Sequence, residues 1–401
     1  QHISKKTVPS VEDARCAELV RDVSAAYGEH PDVETGKASA VARTVHRYYL
    51  NSEGTFVYEP QSDAYLEAWG RSVATDGMPV KHFFDHVRRD IDNLPPRKEL
   101  VAEAEKSAEL ISTLRQAETV DSYTGPVLFT EDAATQLMWK LLADELSGTP
   151  PPLTEAEGQS SDYNPVTSRL GRRILPKQFD VVDDPTRKSI GDIPLIGSYE
   201  VDHEGVPAQR VQLVEDGMLE TLLMSRTPRE DITESNGHAR GGWRGVEATV
   251  GNLIFEAEEG RDMTALKDEL LRRAERDGLD HAYIVRQFDN PWVTHDALTS
   301  GPAWQLSSQG RIAATVVVRV NADGSEELVR GLTLQQPLIR DLEDIVAWGD
   351  EQHITNYIST GATGYLQSIA TPSLLFEELD MPGGQGRFPR TRILPPPKAR
   401  Q

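Results

Sequence analysis

Apolar residues recur at helical spacing near the start of the chain. Val11, Leu19, Val20 and Val23 accompany a capping-box signature, Ser10 to Asp13, and predict a helix over roughly 10–28. From 38 to 60 the pattern changes to alternation around Asn51-Ser52-Glu53-Gly54, which predicts a hairpin, and Tyr65–Val73 follows as a third strand. Asp76-Gly77-Met78-Pro79 breaks the run. A helix is expected from about Val80, with His82 and His86 on one face. Leu100, Val101, Ala104, Leu110, Ile111 and Leu114 mark an amphipathic helix over Glu99–Gln116.

Asp121–Gly125 reads as a boundary. Beyond it come a short apolar strand, Pro126–Phe129, and a helix from Thr130 to Leu146, which Thr130 can cap and whose positive end suits Glu131 and Asp132. Phe179–Pro185 reads as a strand ending in a turn. The stretch from Gly197 to Gly242 then runs through an acidic turn (Asp202 to Gly205), an alternating run to Glu215, the hairpin signal Asp216-Gly217, and a second run to Met224. It ends in a polar loop holding Ser225, Arg226, Ser235, Asn236, His238 and Arg240. Strands are predicted over Ala248–Glu256, Ala282–Phe288 and Ile312–Val320, with a turn at Asn321–Gly324 and a strand near Leu328. Helices are predicted over Thr264–Arg276 and Pro337–Asp350. Leu366–Leu379 reads as two buried strands around a proline turn. The class is α+β, with a helix–hairpin–helix portion over 1–120, a larger domain with a curved antiparallel sheet over 121–385, and a Pro/Arg-rich tail over 386–401.

The net charge of −22 argues against a general affinity for nucleic acid or anionic membrane, which would need a basic patch. No window approaches ~18 consecutive apolar residues, so no membrane-spanning helix is expected. The single cysteine, Cys16, excludes an internal disulfide and a multi-cysteine metal site. The first residue is Gln1 and no signal segment is visible. A cytoplasmic location is expected, with export open if a leader preceded Gln1.

Candidate chemistry is sparse. No Gly-x-Ser-x-Gly elbow, phosphate loop or dinucleotide fingerprint is present. His82 and His86 lack a third ligand and read as a solvated helix face. His203 reads as structural. The polar, glycine-hinged loop carrying Ser235, Asn236, His238 and Arg240 is the candidate peptide-binding surface. No residue can be named to complete a serine triad there. The six tryptophans are scattered and read as packing residues.

Several stretches stand in a specific order along the chain: Asn51–Gly54, Tyr123–Phe129, Val181–Pro185, Gly197–Tyr199, Asp202–Gln209, Ser235–His238 and Ala370–Glu377. Together they resemble the TldD/PmbA (TldE) family, long described as modulators of DNA gyrase and as zinc-peptidase-like proteins. The resemblance implies a TldD/PmbA-like central domain over 1–120 and a C-terminal domain over 121–385. It also implies that the family's further N-terminal domain is missing here.

Catalytic TldD-type members carry a His-Glu-x-x-x-His helix and a later cysteine as zinc ligands. By resemblance that motif falls on Thr130–Thr135. Thr130 and Thr135 stand where the imidazoles would be, only Glu131 is kept, and no cysteine follows Cys16. Hydroxyls are poor zinc ligands beside imidazole or thiolate. The resemblance thus implies a metal-free, TldE-like subunit, with zinc only in a partner chain. It would pair with a metal-bearing TldD-like subunit or with itself. It would act in proteolysis of unfolded polypeptides or peptide precursors by shaping the chamber and dimer interface. Glu131 reads as a carboxylate suited to a helix start, with a leftover general base as the alternative. Two other readings stay open: a homo-oligomeric peptide-binding protein without peptidase activity, and a hydrolase with relocated residues such as His238 with Glu131.

Overall fold

The computed structural model describes residues 2–5, 13–143, 145–150, 166–242, 245–289, 311–335, 337–358 and 365–383. The first part contains α1 (Asp13–Gly28), β1 (Thr35–Leu50), β2 (Phe56–Val73), β3 (Pro79–Arg88) and α2 (Arg97–Gln116). β1 and β2 pair antiparallel around the Asn51–Gly54 turn, and β3 adds antiparallel to β2. The helices bury Leu19, Val23, Tyr27, Leu100, Ile111 and Leu114 against Leu66, Ala68 and Phe84 of the sheet. Tyr27 fixes the docking of α1. Its ring lies over the cross-strand pair Gly36 and Gly70, where an added Cβ would come within 2.2 and 2.8 Å of Tyr27. Only glycine leaves room there.

The segment from Val80, expected as a helix, is the strand β3. The long β2 edge supplies a partner for every residue from Pro79 to Arg88, which overrides local pattern. A spacing of four is even, so it places His82 and His86 on one face of a strand as well as of a helix. Both meet α2: His82 Nδ1 lies 2.8 Å from Ser107 Oγ and His86 Nε2 lies 2.8 Å from Glu103. The expected helix–hairpin–helix is therefore a helix, a three-stranded meander and a helix.

The second part is built on one sheet of twelve described strands. Its main elements are β4 (Tyr123–Phe129), α3 (Glu131–Met138), β5 (Phe179–Asp183), β6 (Val211–Glu215), β7 (Asn252–Ala257), α4 (Met263–Arg276) and β8 (His281–Phe288). They continue with β9 (Arg311–Asn321), β10 (Glu326–Arg330), β11 (Ile345–Ile358) and β12 (Leu366–Met381). The class is α+β. Most pairings are antiparallel, while β4–β8 and β7–β12 are parallel. Alternation divides the sheet's faces. Phe129, Phe179, Phe255, Phe288 and Phe376 fill one side, and Leu128, Ile284, Val318 and Leu375 meet Leu266 and Leu270 of α4 on the other. Each fully buried phenylalanine contributes about 1.5–3 kcal/mol.

Two expectations near the end of the chain need correction. Pro337–Asp350 is not one helix: a short 3-10 turn, Ile339–Asp344, leads into β11. Leu366–Leu379 is one strand, not two. Pro372 is tolerated inside it because β12 changes partner there. Asn252–Ile254 of β7 pair with Ser368–Ala370, and β4 takes over the same edge at Leu374. On the other edge the β11 register slips between Trp348 and Gln352, beside Pro372. A missing N–H at such an irregularity leaves little of the ladder unpaired. The sheet forks at this point, and Thr130 at the end of β4 lies at the fork. The expected tail, 386–401, and Trp243, Trp292 and Trp304 lie outside the described residues.

Candidate functional site

α3 starts where β4 ends. Thr130 is extended (φ −142°) and its side chain does not cap the helix. Its hydroxyl instead accepts from Ser373 Oγ at 2.9 Å and lies 3.2 Å from His353 Nε2, and Ser373 Oγ is 2.8 Å from the same nitrogen. The three side chains close a triangle in which Thr130 and Ser373 are buried. Burial holds His353 below the usual histidine range, so the ring is neutral. Thr135, also buried, donates to the Asp132 carbonyl at 3.0 Å and lies 2.7 Å from Thr355 Oγ1. One turn later Trp139 packs on Tyr357, ring centroids 6.0 Å apart. Alternate residues of β11 (353, 355, 357) thus run along one face of α3.

Glu131, the first helical residue, has φ +53°. Left-handed backbone costs a non-glycine residue about 1–2 kcal/mol. Its carboxylate is exposed, 3.7 Å from Arg286 Nε, and Arg286 also lies 3.8 Å from Glu326. These groups line a cleft of about 420 Å³ with His82, Glu103, Asp132 and Leu328. The cleft opens between the α2–β3 face of the first part and the α3–β9 face of the second. Its wall is acidic. Burial raises Asp132, with Gln287 donating to it at 3.2 Å. Behind it, burial and then Asp132, Glu67 and Glu103 push Asp85 up to about 8. Burial pushes His82 down to about 4.

The loop after Met224 has turned its polar atoms inward. Asn236 accepts from the Met224 N–H at 2.7 Å and donates to the Leu222 carbonyl at 2.8 Å, and Ser235 Oγ donates to the Met224 carbonyl at 3.3 Å. His238 is fully buried, with Nε2 3.1 Å from Asp183 and Nδ1 2.9 Å from the Asn236 carbonyl. Arg240 is buried with its guanidinium 3.6 Å over the Tyr199 ring. Of the four residues expected to contact peptide, His238 and Arg240 are buried, while Ser235 and Asn236 are half-buried and bond the chain's own backbone. Asp202 organises the preceding turn by accepting from Glu204, Val206 and Ala239 N–H groups.

Residues 122–383 match the PmbA/TldA metallopeptidase C-terminal domain and residues 6–111 the central domain of the same family. The chain belongs to the TldD/PmbA family. Among curated relatives, a metalloprotease of Methanothermobacter thermautotrophicus is 26% identical over 57% of this chain and 45% of its own length. A metalloprotease of Synechocystis is 27% identical over 60% of this chain and 53% of its own length. The chain spans about half the length of these relatives. Among solved structures, a proposed modulator of a DNA gyrase from Thermotoga maritima aligns with TM-score 0.65 at 17% identity, covering 95% of this chain and 79% of that one. TldE from Thermococcus kodakarensis aligns with TM-score 0.61 at 17% identity, covering 96% and 79%. These likenesses establish a shared fold.

The metal motif that the resemblance implies falls on Thr130–Thr135. Thr130 and Thr135 offer hydroxyls, and each hydroxyl is already bonded inside the protein. Among the described residues no three His, Cys, Asp or Glu side chains converge as a ligand set. This donor set does not fit zinc at the helix start. Sequence reasoning missed His353, Thr355 and Ser373. Their signal was the alternation His353, Thr355, Tyr357 in a segment given no strand. It also missed the cleft, whose walls come from elements far apart in sequence.

Proposed function

We propose that this chain is a non-catalytic, TldE-like member of a TldD/PmbA-type metallopeptidase assembly. Cleavage of unfolded polypeptides or peptide precursors depends on a partner chain whose helix carries the zinc ligands. This chain shapes the chamber and the subunit interface, and its acidic cleft beside Glu131 faces the substrate. The observation that carries the reading is the fate of Thr130 and Thr135, where the resemblance puts the family's zinc ligands: both hydroxyls are locked to Ser373, His353 and Thr355. The fold shared with a TldE supports it.

The test is to purify the chain alone and together with a TldD-type homologue from the same genome, then measure bound zinc and cleavage of an unfolded peptide. Expected are no stoichiometric zinc and no cleavage alone, and cleavage with the homologue. Stoichiometric zinc on the isolated chain overturns the reading. Peptide binding by a homo-oligomer that no homologue activates favours the binding-protein alternative.

A hydrolase with relocated residues has one geometry in its favour, the 2.8 Å approach of Ser373 Oγ to His353 Nε2. Ser373 is only 2% exposed and its hydroxyl donates to Thr130, so this reading ranks second. Cleavage by the isolated chain, abolished by Ser373→Ala, would promote it. His238 is a poor partner for Glu131, because both its ring nitrogens already face acceptors.

A further inference from the structure

The junction between the two cores holds a second polar cluster, distinct from the cleft. Arg47 of β1, Glu59 and Gln61 of β2, and Arg89 meet Ser198, Tyr199, Arg240 and Leu366 from the second part. Arg240 is 4% exposed. Its Nε is buried without an acceptor among the described residues, and so is Nη2 of Arg47. A third mismatch lies beside them. The Gly241 N–H donates to His203 Nδ1 at 2.6 Å, so the neutral ring carries its proton on Nε2. That N–H faces Arg240 Nη1 at 3.3 Å, donor against donor. Burial and the charges of Arg240 and Arg47 hold His203 far below its usual range, so the ring stays neutral.

Among the described residues the charges do not balance either. Arg47, Arg89 and Arg240 share the field of Glu59 and Asp63, and Asp63 is engaged by Arg43 at 2.8 and 2.9 Å. Asp202 and Asp183 are taken up by backbone N–H groups and His238. Burial and the Arg240 charge bring Arg47 and Arg89 down only to about 10, so both remain cations. Arg89 is satisfied by the Ile196 and Ser198 carbonyls. A pocket of about 10 Å³ lies among Glu59, Gln61, Arg89, Tyr199 and Arg240. That is room for about one water-sized body. A water would supply an acceptor but leave the buried positive charge uncompensated.

We propose that this pocket binds one small monovalent anion of the chloride class, held chiefly by Arg240 in the field of Arg47 and Arg89. The anion joins the first sheet to the second by accepting from Arg240 and from Gln61 of β2, whose Nε2 is likewise buried without an acceptor among the described residues. A phosphate or a peptide carboxylate is too large for the pocket as built.

The test uses the full chain. Thermal unfolding is followed in sodium chloride, sodium bromide and sodium gluconate at matched ionic strength. Chloride and bromide should raise the midpoint by about 2–4 °C over gluconate. Arg240→Met should remove the difference, while Arg272→Met on the exposed side of α4 should keep it. If Arg240→Met does not fold, Arg47→Gln should shrink the difference. Crystals grown in bromide should show an anomalous peak within hydrogen-bond reach of Arg240. Equal midpoints in chloride and gluconate, or bromide crystals without that peak, overturn the proposal.

Discussion

The acidic cleft at Glu131 and the arginine cluster at Arg240 lie along the same junction, between the same two cores, and differ in sign and in access. The cleft has a volume of about 420 Å³ and is walled by Glu103, Glu131, Asp132 and Glu326. The cluster closes on about 10 Å³ and is dominated by guanidinium groups. Charge and burial have different consequences on the two sides. A carboxylate held in a poor dielectric can take up a proton, as Asp85 does with its ordinary range shifted up to about 8. A guanidinium cannot usefully release one, so a closed basic cluster must be balanced by stacking, by carboxylates or by an anion. The cleft can adjust its own charge, whereas the cluster has to be supplied with one.

Substitutions at four positions probe that contrast. The largest effect is expected on the basic side. Tyr199→Leu removes the ring under Arg240 and the hydroxyl that donates to the Gly237 carbonyl at 2.8 Å. It should cost about 3 kcal/mol in urea unfolding, and Tyr199→Phe only about 1 kcal/mol. Equal losses would show that the stacked guanidinium contributes nothing.

Asp85→Asn probes the acidic side through pH. Unfolded Asp85 titrates near ~3.9, while the folded group holds its proton to about 8. Between those values the folded chain binds the extra proton, so raising pH favours unfolding. The asparagine should therefore leave stability unchanged near pH 4 and stabilise the protein progressively as the pH rises towards 8. An unchanged pH slope of the unfolding midpoint would show that folded Asp85 does not hold its proton.

Behind the cleft, Thr135→Val leaves Thr355 without its 2.7 Å partner and should cost about 1–2 kcal/mol by chemical denaturation. A neutral result would mean that the two hydroxyls are bonded elsewhere. The smallest effect is expected at the cleft mouth. Glu131→Gly relieves the positive φ and loses only an exposed ion pair, for a net gain of about 0.5–1 kcal/mol. A loss in the same measurement would assign Glu131 a structural role on that wall.

Much of this architecture was written in local pattern. The hairpin around Asn51–Gly54, the helices ending at Gly28, Gln116 and Arg276, and the Asp216-Gly217 turn with both φ values positive follow from periodicity and turn chemistry. The failures were of two physical kinds. At β3 a spacing of four served strand and helix equally, and the pairing edge of β2 decided. At Pro372 a breaker was absorbed because two neighbouring strands divide one edge of β12. For the site, the hydroxyls at 130 and 135 were legible, but their partners His353, Thr355 and Ser373 were not. The loop poses a different ambiguity. Polar side chains that brace backbone, as Ser235, Asn236 and His238 do, look the same in a sequence as polar side chains that wait for a substrate.

The fork of β12 also bears on how the polypeptide is made. β1 and β2 are joined by a tight turn, and the first core is complete once Gln116 has emerged, so it can close early during synthesis. β4 and β7 must wait, with one edge unpaired, until Leu366–Met381 leaves the ribosome. Nascent chains stalled after Ala257 should therefore protect β2 amides from exchange and leave those of β4 and β7 open. That interval is when the chain is most exposed to pairing with the wrong strand.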